Sequence, residues 1–248
     1  MKRQALIISN PGESGAENYC AGVLKDVTNY RSFLVSPIGG LWRESEIAEM
    51  NRPSTFDLKM KLFDLTSCDY ALIIFSGHGY HSTTHDSTFV ELRSGHEFDS
   101  ADLRLNVKQT LILDCCRQRY PPVTEDRALL ERLAKAAPVL HPERCREYYD
   151  GRIAECSDEL IVTYACGVGQ TAADDTQTGG VYSSNLVKAS KAWTRTLNID
   201  TTHQHQILSV VSAHEGAVPL VERARGNRQT PRIEKPRTGP YFPFCIVA

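Results

Sequence analysis

Two short apolar runs in this chain each end in a reactive side chain. Ala71-Leu72-Ile73-Ile74-Phe75 leads into Ser76-Gly77-His78-Gly79, and Thr110-Leu111-Ile112-Leu113 leads into Asp114-Cys115-Cys116-Arg117. Continuous runs of Ile and Leu of this length fit strands buried on both faces of a parallel sheet. In such sheets ligands and chemistry gather beyond the carboxyl ends of the strands. One strand therefore delivers an imidazole and the other a thiol to the same edge, the minimum for a cysteine nucleophile and its proton acceptor. Gly77 and Gly79 flank His78 and let the backbone come close enough to aim N–H donors at a developing oxyanion.

A chain of 248 residues, 41% of them hydrophobic, can bury a sizeable core, and we read 1–248 as one domain. A net charge of −2 gives no global pull toward nucleic acid or an anionic membrane. The basic stretch from Glu222 to Arg237 has no interleaved aromatic residues for base stacking and reads as a solvated loop. Met1-Lys2-Arg3-Gln4 runs straight into Ala5-Leu6-Ile7-Ile8, too short for a signal-peptide core, and no later segment approaches membrane-spanning length. The expectation is a cytoplasmic protein with neither nucleic acid nor membrane as partner. Eight cysteines are spread along the chain without a Cys-x-x-Cys pair, so most read as small core residues.

Strand and helix signals alternate. Ala5 to Ser9 reads as a strand, followed by a helix from about Ala16 to Tyr30 or beyond and a short strand at Phe33-Leu34-Val35. Ser54 caps a helix marked by Phe56, Leu58, Leu62 and Phe63. After the two reactive strands come a helix from Thr124 to Ala136, a strand from Leu160 to Tyr164, helices at Ser183 to Leu197 and His203 to His214, and a final strand in Phe242 to Val247. This alternation predicts an α/β sandwich with a mainly parallel sheet. The long connection 117–158 is of the kind that carries function.

The two strand endings resemble the active-site blocks of the caspase-like cysteine peptidases, specifically the metacaspase and prokaryotic caspase-like branch of peptidase family C14. Gly22-Val23-Leu24-Lys25-Asp26-Val27 is similar to a metacaspase segment on the first helix. Tyr164-Ala165-Cys166 with Gln170-Thr171-Ala172-Ala173-Asp174 resembles the opening of the small subunit, and Arg228-Gln229-Thr230-Pro231 a later Gln-x-Pro element. The resemblance implies a three-layer αβα sandwich around a mainly parallel sheet of about six strands. It divides the chain into a large-subunit-like region at residues 1–116, a connecting activation region at 117–158 and a small-subunit-like region at 159–248. It also selects Cys116 as nucleophile, two positions after the Asp, with His78 as base; Cys115 would point to the opposite face of an extended segment. Backbone N–H groups near Gly79 and Cys116 would form the oxyanion hole.

Metacaspases cut after Arg or Lys through an acidic pocket, and three positions match it: Asp26, Ser76 and Asp114. Two carboxylates in one pocket favour a guanidinium, which can bridge both. The implied activity is cleavage of proteins after exposed Arg, less readily Lys, in a regulated stress, cell-death or antiphage defence pathway, with room for an upstream activator or regulatory protein. A catalytically silent scaffold and a related peptidase with a non-basic preference are the alternatives. Val168-Gly169 stands where metacaspases often carry an acidic pair, so no substrate role is expected of that loop. No cofactor is expected. Many metacaspases need calcium, but Asp86, Glu91, Glu97, Asp99 and Asp102 show no calcium-loop repeat and read as a solvated face. His81 and His85 read as loop residues rather than zinc ligands. An Arg-specific enzyme could cut itself in the connecting region at Arg127, Arg132, Arg144, Arg146 or Arg152.

Overall fold

The computed structural model describes residues 1–118 and 140–248. In chain order these form β1 (Arg3–Asn10), α1 (Gly22–Val35), β2 (Ile47–Asn51), α2 (Thr55–Leu65), β3 (Tyr70–Gly77), β4 (Gly79–Ser82), β5 (Ser87–Arg93), β6 (His96–Asp99) and β7 (Lys108–Asp114). They continue with α3 (Pro142–Glu155), β8 (Leu160–Tyr164), β9 (Asp174–Asp175), β10 (Gly179–Gly180), α4 (Val181–Thr194), β11 (Gln206–Ser209), α5 (Val210–Arg225), β12 (Arg232–Glu234) and β13 (Pro243–Val247).

The central sheet has six strands in the order β12-β8-β7-β3-β1-β2. All neighbours are parallel except β12, which runs antiparallel to β8. Successive residues of a strand face opposite sides. Ala5 and Ile7 of β1 accordingly join one apolar cluster with α1, α3, α4 and α5, while Leu6 and Ile8 join another with α2 and the β4-β5-β6 sheet. Burial on both faces explains why β1, β3 and β7 read as unbroken apolar runs.

Several expectations are corrected. Helix α1 starts at Gly22 rather than near Ala16, because the N–H groups before it are engaged otherwise: Tyr19 donates to the Ala16 carbonyl three residues back and Cys20 to the Pro11 carbonyl at 2.8 Å. Phe33, Leu34 and Val35 are its last turn, not a strand; the second strand is Ile47–Asn51, a sheet edge whose outward Glu49 and Asn51 broke the apolar run. Of the residues marking α2, Leu58 and Leu62 face the core with Leu65, but Phe56 and Phe63 face outward, each 72% exposed. His203 to His214 is not one helix. Gln206–Ser209 pairs antiparallel with β13, and α5 begins at Val210 with the Ser209 hydroxyl accepting the Ser212 N–H at 3.0 Å.

The final strand thus belongs to a two-stranded sheet, and the sixth central strand is the short, charged β12 inside the supposed basic loop. In that stretch Arg223 and Arg225 end α5, and Arg225 is buried. His81 lies on β4 rather than in a loop, buried, with its Nε2 3.3 Å from Asp86. The helix expected at Thr124 to Ala136, with Arg127 and Arg132, falls outside the described residues. Arg144, Arg146 and Arg152 lie on α3, which buries Cys145, Tyr149 and Ile153. Among the described residues no helix is long and apolar enough to cross a membrane.

Candidate active site

Strands β3 and β7 are adjacent and parallel, with Ser76 in register with Asp114, so the segments that follow them emerge side by side. The same cleft is lined by Asp26, Ser76, His78, Asp114 and Cys116, together with Cys20, Val23, Asp174 and Gly180. Gly79 is not among the lining residues. A Cβ there would stand 2.8 Å from both the Cys115 Sγ and the Phe89 carbonyl, so this glycine is required by packing beneath the cleft. Cys115 itself lies in the core, and burial pushes its thiol well above the usual range. Of the eight cysteines only Cys20 and Cys116 are not buried.

The Cys116 Sγ donates to the Ala172 carbonyl at 3.5 Å. His78 Nε2 is buried and makes no hydrogen bond among the described residues, with the backbone of Gly12 closing over it: a Cβ at Gly12 would stand 3.1 Å from that nitrogen. Arg117 fixes the chain after Cys116. Its N–H donates to the Gln170 carbonyl at 3.0 Å, its Nε donates to the Thr88 hydroxyl at 2.9 Å, and its guanidinium lies 3.9 Å from the Tyr164 ring centroid.

The carboxylates meet at the amino end of α4. Asp26 is buried and accepts the Ser76 hydroxyl at 2.7 Å and the Gly180 N–H at 2.8 Å. Asp114 accepts the Ser183 N–H at 3.0 Å and the Ser183 hydroxyl at 2.6 Å. Gly180 fits between the two: a Cβ there would collide with Asp114 Oδ2 and stand 2.9 Å from Asp26 Oδ2. Burial, then the neighbouring Asp114, drives the Asp26 carboxyl well above its ordinary value; burial pushes Asp114 up to about 6, against the hydrogen bonds from Ser183.

A third carboxylate, Asp174, also lines the cleft and accepts the Gly22 N–H at 2.9 Å. It raises both Asp26 and Asp114. Asp174 was missed because no substrate role was expected of its loop, yet Ala172, Ala173 and Asp174 all reach the cleft. The available signal was its place at the end of the Gln170-Thr171-Ala172-Ala173-Asp174 segment. Among the described residues no Lys or Arg lines the cleft.

Among the described residues no group of three or more His, Cys, Asp or Glu is arranged to hold a metal. Of the acids between the two motifs, Asp99 accepts the Ala101 N–H at 2.8 Å and the Ser87 hydroxyl, Glu97 the Tyr80 hydroxyl at 2.6 Å and Glu91 the Gly95 N–H at 3.3 Å.

The model of the family described as Peptidase_C14, caspase domain, matches residues 2–242. The chain belongs to the caspase family of cysteine peptidases. Among solved structures, caspase-1 from Spodoptera frugiperda is similar with a TM-score of 0.55, at 10% identity, over 94% of this chain and 87% of that one. That likeness carries the caspase fold alone. Among curated proteins none matches significantly. In this caspase-family chain, the six-stranded sheet with helices on both faces is the caspase-like αβα sandwich.

Proposed function

We propose that the protein is an endopeptidase that cleaves after arginine, and less readily after lysine, using Cys116 as nucleophile and His78 as base and then acid. The observation that carries the reading is the collection of Asp26, Asp114 and Asp174 in the cleft that holds Cys116 and His78, with no Lys or Arg lining it among the described residues. A substrate guanidinium entering this space supplies the missing positive charge and offers five donors in a planar fork.

In the proposed cycle the Cys116 proton passes to the imidazole, and the thiolate attacks the carbonyl after the bound arginine. Backbone N–H groups near Cys116 and Gly79 stabilise the oxyanion. His78 then protonates the leaving amine, and afterwards activates the water that releases the acyl group. The Cys116 thiol, which here donates to the Ala172 carbonyl, must exchange that partner for the His78 imidazole when substrate binds. The resemblance to prokaryotic relatives suggests a regulated stress, cell-death or antiphage defence setting.

A second reading follows from the amino end of α4, where Asp26 and Asp114 accept helix N–H groups. On that reading the carboxylates anchor α4 and the preference is not basic. Fluorogenic peptides differing only in the residue before the cut separate the two. Arg should exceed Lys, and both should exceed Asp and Ala. Cys116→Ala should abolish cleavage and Cys115→Ala should retain it; a preference for Asp, or activity surviving Cys116→Ala, would reject the proposal.

A further inference from the structure

Helix α2 turns a second apolar face outward. Phe56, Met60 and Phe63 are 72%, 49% and 72% exposed, whereas Leu58, Leu62 and Leu65 fill the core beneath. Residues four and three apart lie on one helix face. Three of the six large hydrophobic side chains exposed among the described residues therefore form a single stripe on this eleven-residue helix.

The charges beside the stripe specify what can cover it. Phe56, Met60 and Phe63 occupy the d, a and d positions of a heptad, which places Lys59 at g on one flank and Asp64 at e on the other. Lys59 and Asp64 are both exposed. In a parallel pair of such helices a g residue meets the e residue five positions along the partner, so Lys59 of each copy meets Asp64 of the other. In an antiparallel pair g flanks g and e flanks e, so Lys59 of one copy cannot meet Asp64 of the other.

We propose that α2 is a self-association surface on which a second copy of this chain docks, with the two α2 helices parallel. The exposed areas of the three side chains amount to roughly 400 Å² per copy, well short of the ~1,200 Å² in total that stable interfaces bury. The dimer is therefore weak and concentration-dependent. Helix α2 packs in the apolar cluster on the opposite side of the sheet from α1 and α4, which border the cleft, so pairing leaves the cleft open to substrate.

Sedimentation velocity of the purified chain from about 1 to 300 µM tests this. The wild type should move from monomer toward dimer across that range, and Phe63→Glu should stay monomeric. Lys59→Asp should weaken pairing about tenfold, since it sets like charges together at two symmetric places, and Lys59→Asp with Asp64→Lys in the same chain should restore it. Circular dichroism should be unchanged throughout, because every altered side chain is exposed. A wild type that is monomeric at every concentration overturns the proposal. So does a dimer indifferent to Phe63→Glu, or one that the double charge exchange fails to restore. Capture of a different protein by the stripe, with no self-association, also overturns it.

Discussion

Two clusters of buried charge in this protein are built on opposite plans. In the first, Arg3 at the start of β1 is fully buried, with Nη1 2.8 Å from Asp150 and Nε 3.6 Å from Glu46, and its guanidinium 4.4 Å from the Trp42 ring centroid. Arg146 closes on Glu46 at 2.5 Å, so two cations meet two carboxylates. Burial outweighs the cations at Asp150 and leaves its carboxyl above the ordinary value; at Glu46 the penalty of burial is overcome by hydrogen bonds from Arg146 and the Arg43 backbone. In the second cluster Asp26, Asp114 and Asp174 converge with no Lys or Arg lining the cleft among the described residues. The first is electrically complete and ties β1 to α3. In the second, burial and mutual repulsion raise the Asp26 and Asp114 carboxyls, and on the proposed function a substrate cation would balance them.

The contrast is best broken from its balanced side. Arg3→Met should cost about 3–5 kcal/mol of stability in urea unfolding, because it leaves half-buried Asp150 with only the Arg146 Nε at 3.9 Å and Glu46 with one cation fewer. A loss under about 1 kcal/mol would mean the cluster does not hold the fold.

The unbalanced cluster should respond oppositely. Asp114→Asn should lower kcat/KM for arginine peptides by about 100-fold, roughly 2.7 kcal/mol, with little effect on an uncharged substrate. The same variant should be more stable than wild type by about 1–3 kcal/mol at pH 7. The sign follows from a folded-state carboxyl near 6 against an ordinary value of 3.8: the folded protein holds the extra proton, so stability is fully present below about 4 and is lost as pH rises through 6. At pH 4 the variant should therefore show no gain.

The smallest effect concerns binding. A guanidinium favours the ionised carboxylates, so KM for arginine peptides should rise as pH falls below about 6, by at most tenfold per unit, while KM for an uncharged peptide stays flat. Parallel profiles for both substrates would remove Asp114 from the pocket.

Much of the fold was legible where burial is two-sided. Strands β1, β3, β7 and β8 stand out because each must be apolar toward both layers. The errors fall where that condition fails. β2 and β12 are edges with polar outward residues, and β11 is a four-residue strand read into a helix because nothing in Gln206–Ser209 announces its distant partner β13. The candidate site was legible through short motifs at the ends of adjacent strands. Asp174 and the Arg3 cluster were not, since each is assembled from segments distant in sequence, and pairwise charge contacts leave no periodic trace. The outward stripe of α2 was hidden for a related reason: apolar residues occur on both of its faces, and only packing tells which set is buried.

If the protein cuts after arginine as proposed, its own arginines have to stay out of reach, and α3 bears on that need. Arg144, Arg146 and Arg152 sit within a helix rising about 1.5 Å per residue, whose carbonyls are engaged along its axis, whereas an extended strand rises about 3.3 Å. Tyr149 fastens the helix through its hydroxyl to the Pro243 carbonyl at 2.9 Å, and Arg146 fastens it to Glu46. Presenting any of these three bonds to the cleft would mean unwinding α3 and opening the balanced ion cluster together. On the proposed specificity, the cluster that ties β1 to α3 would also shield Arg144, Arg146 and Arg152 from self-cleavage.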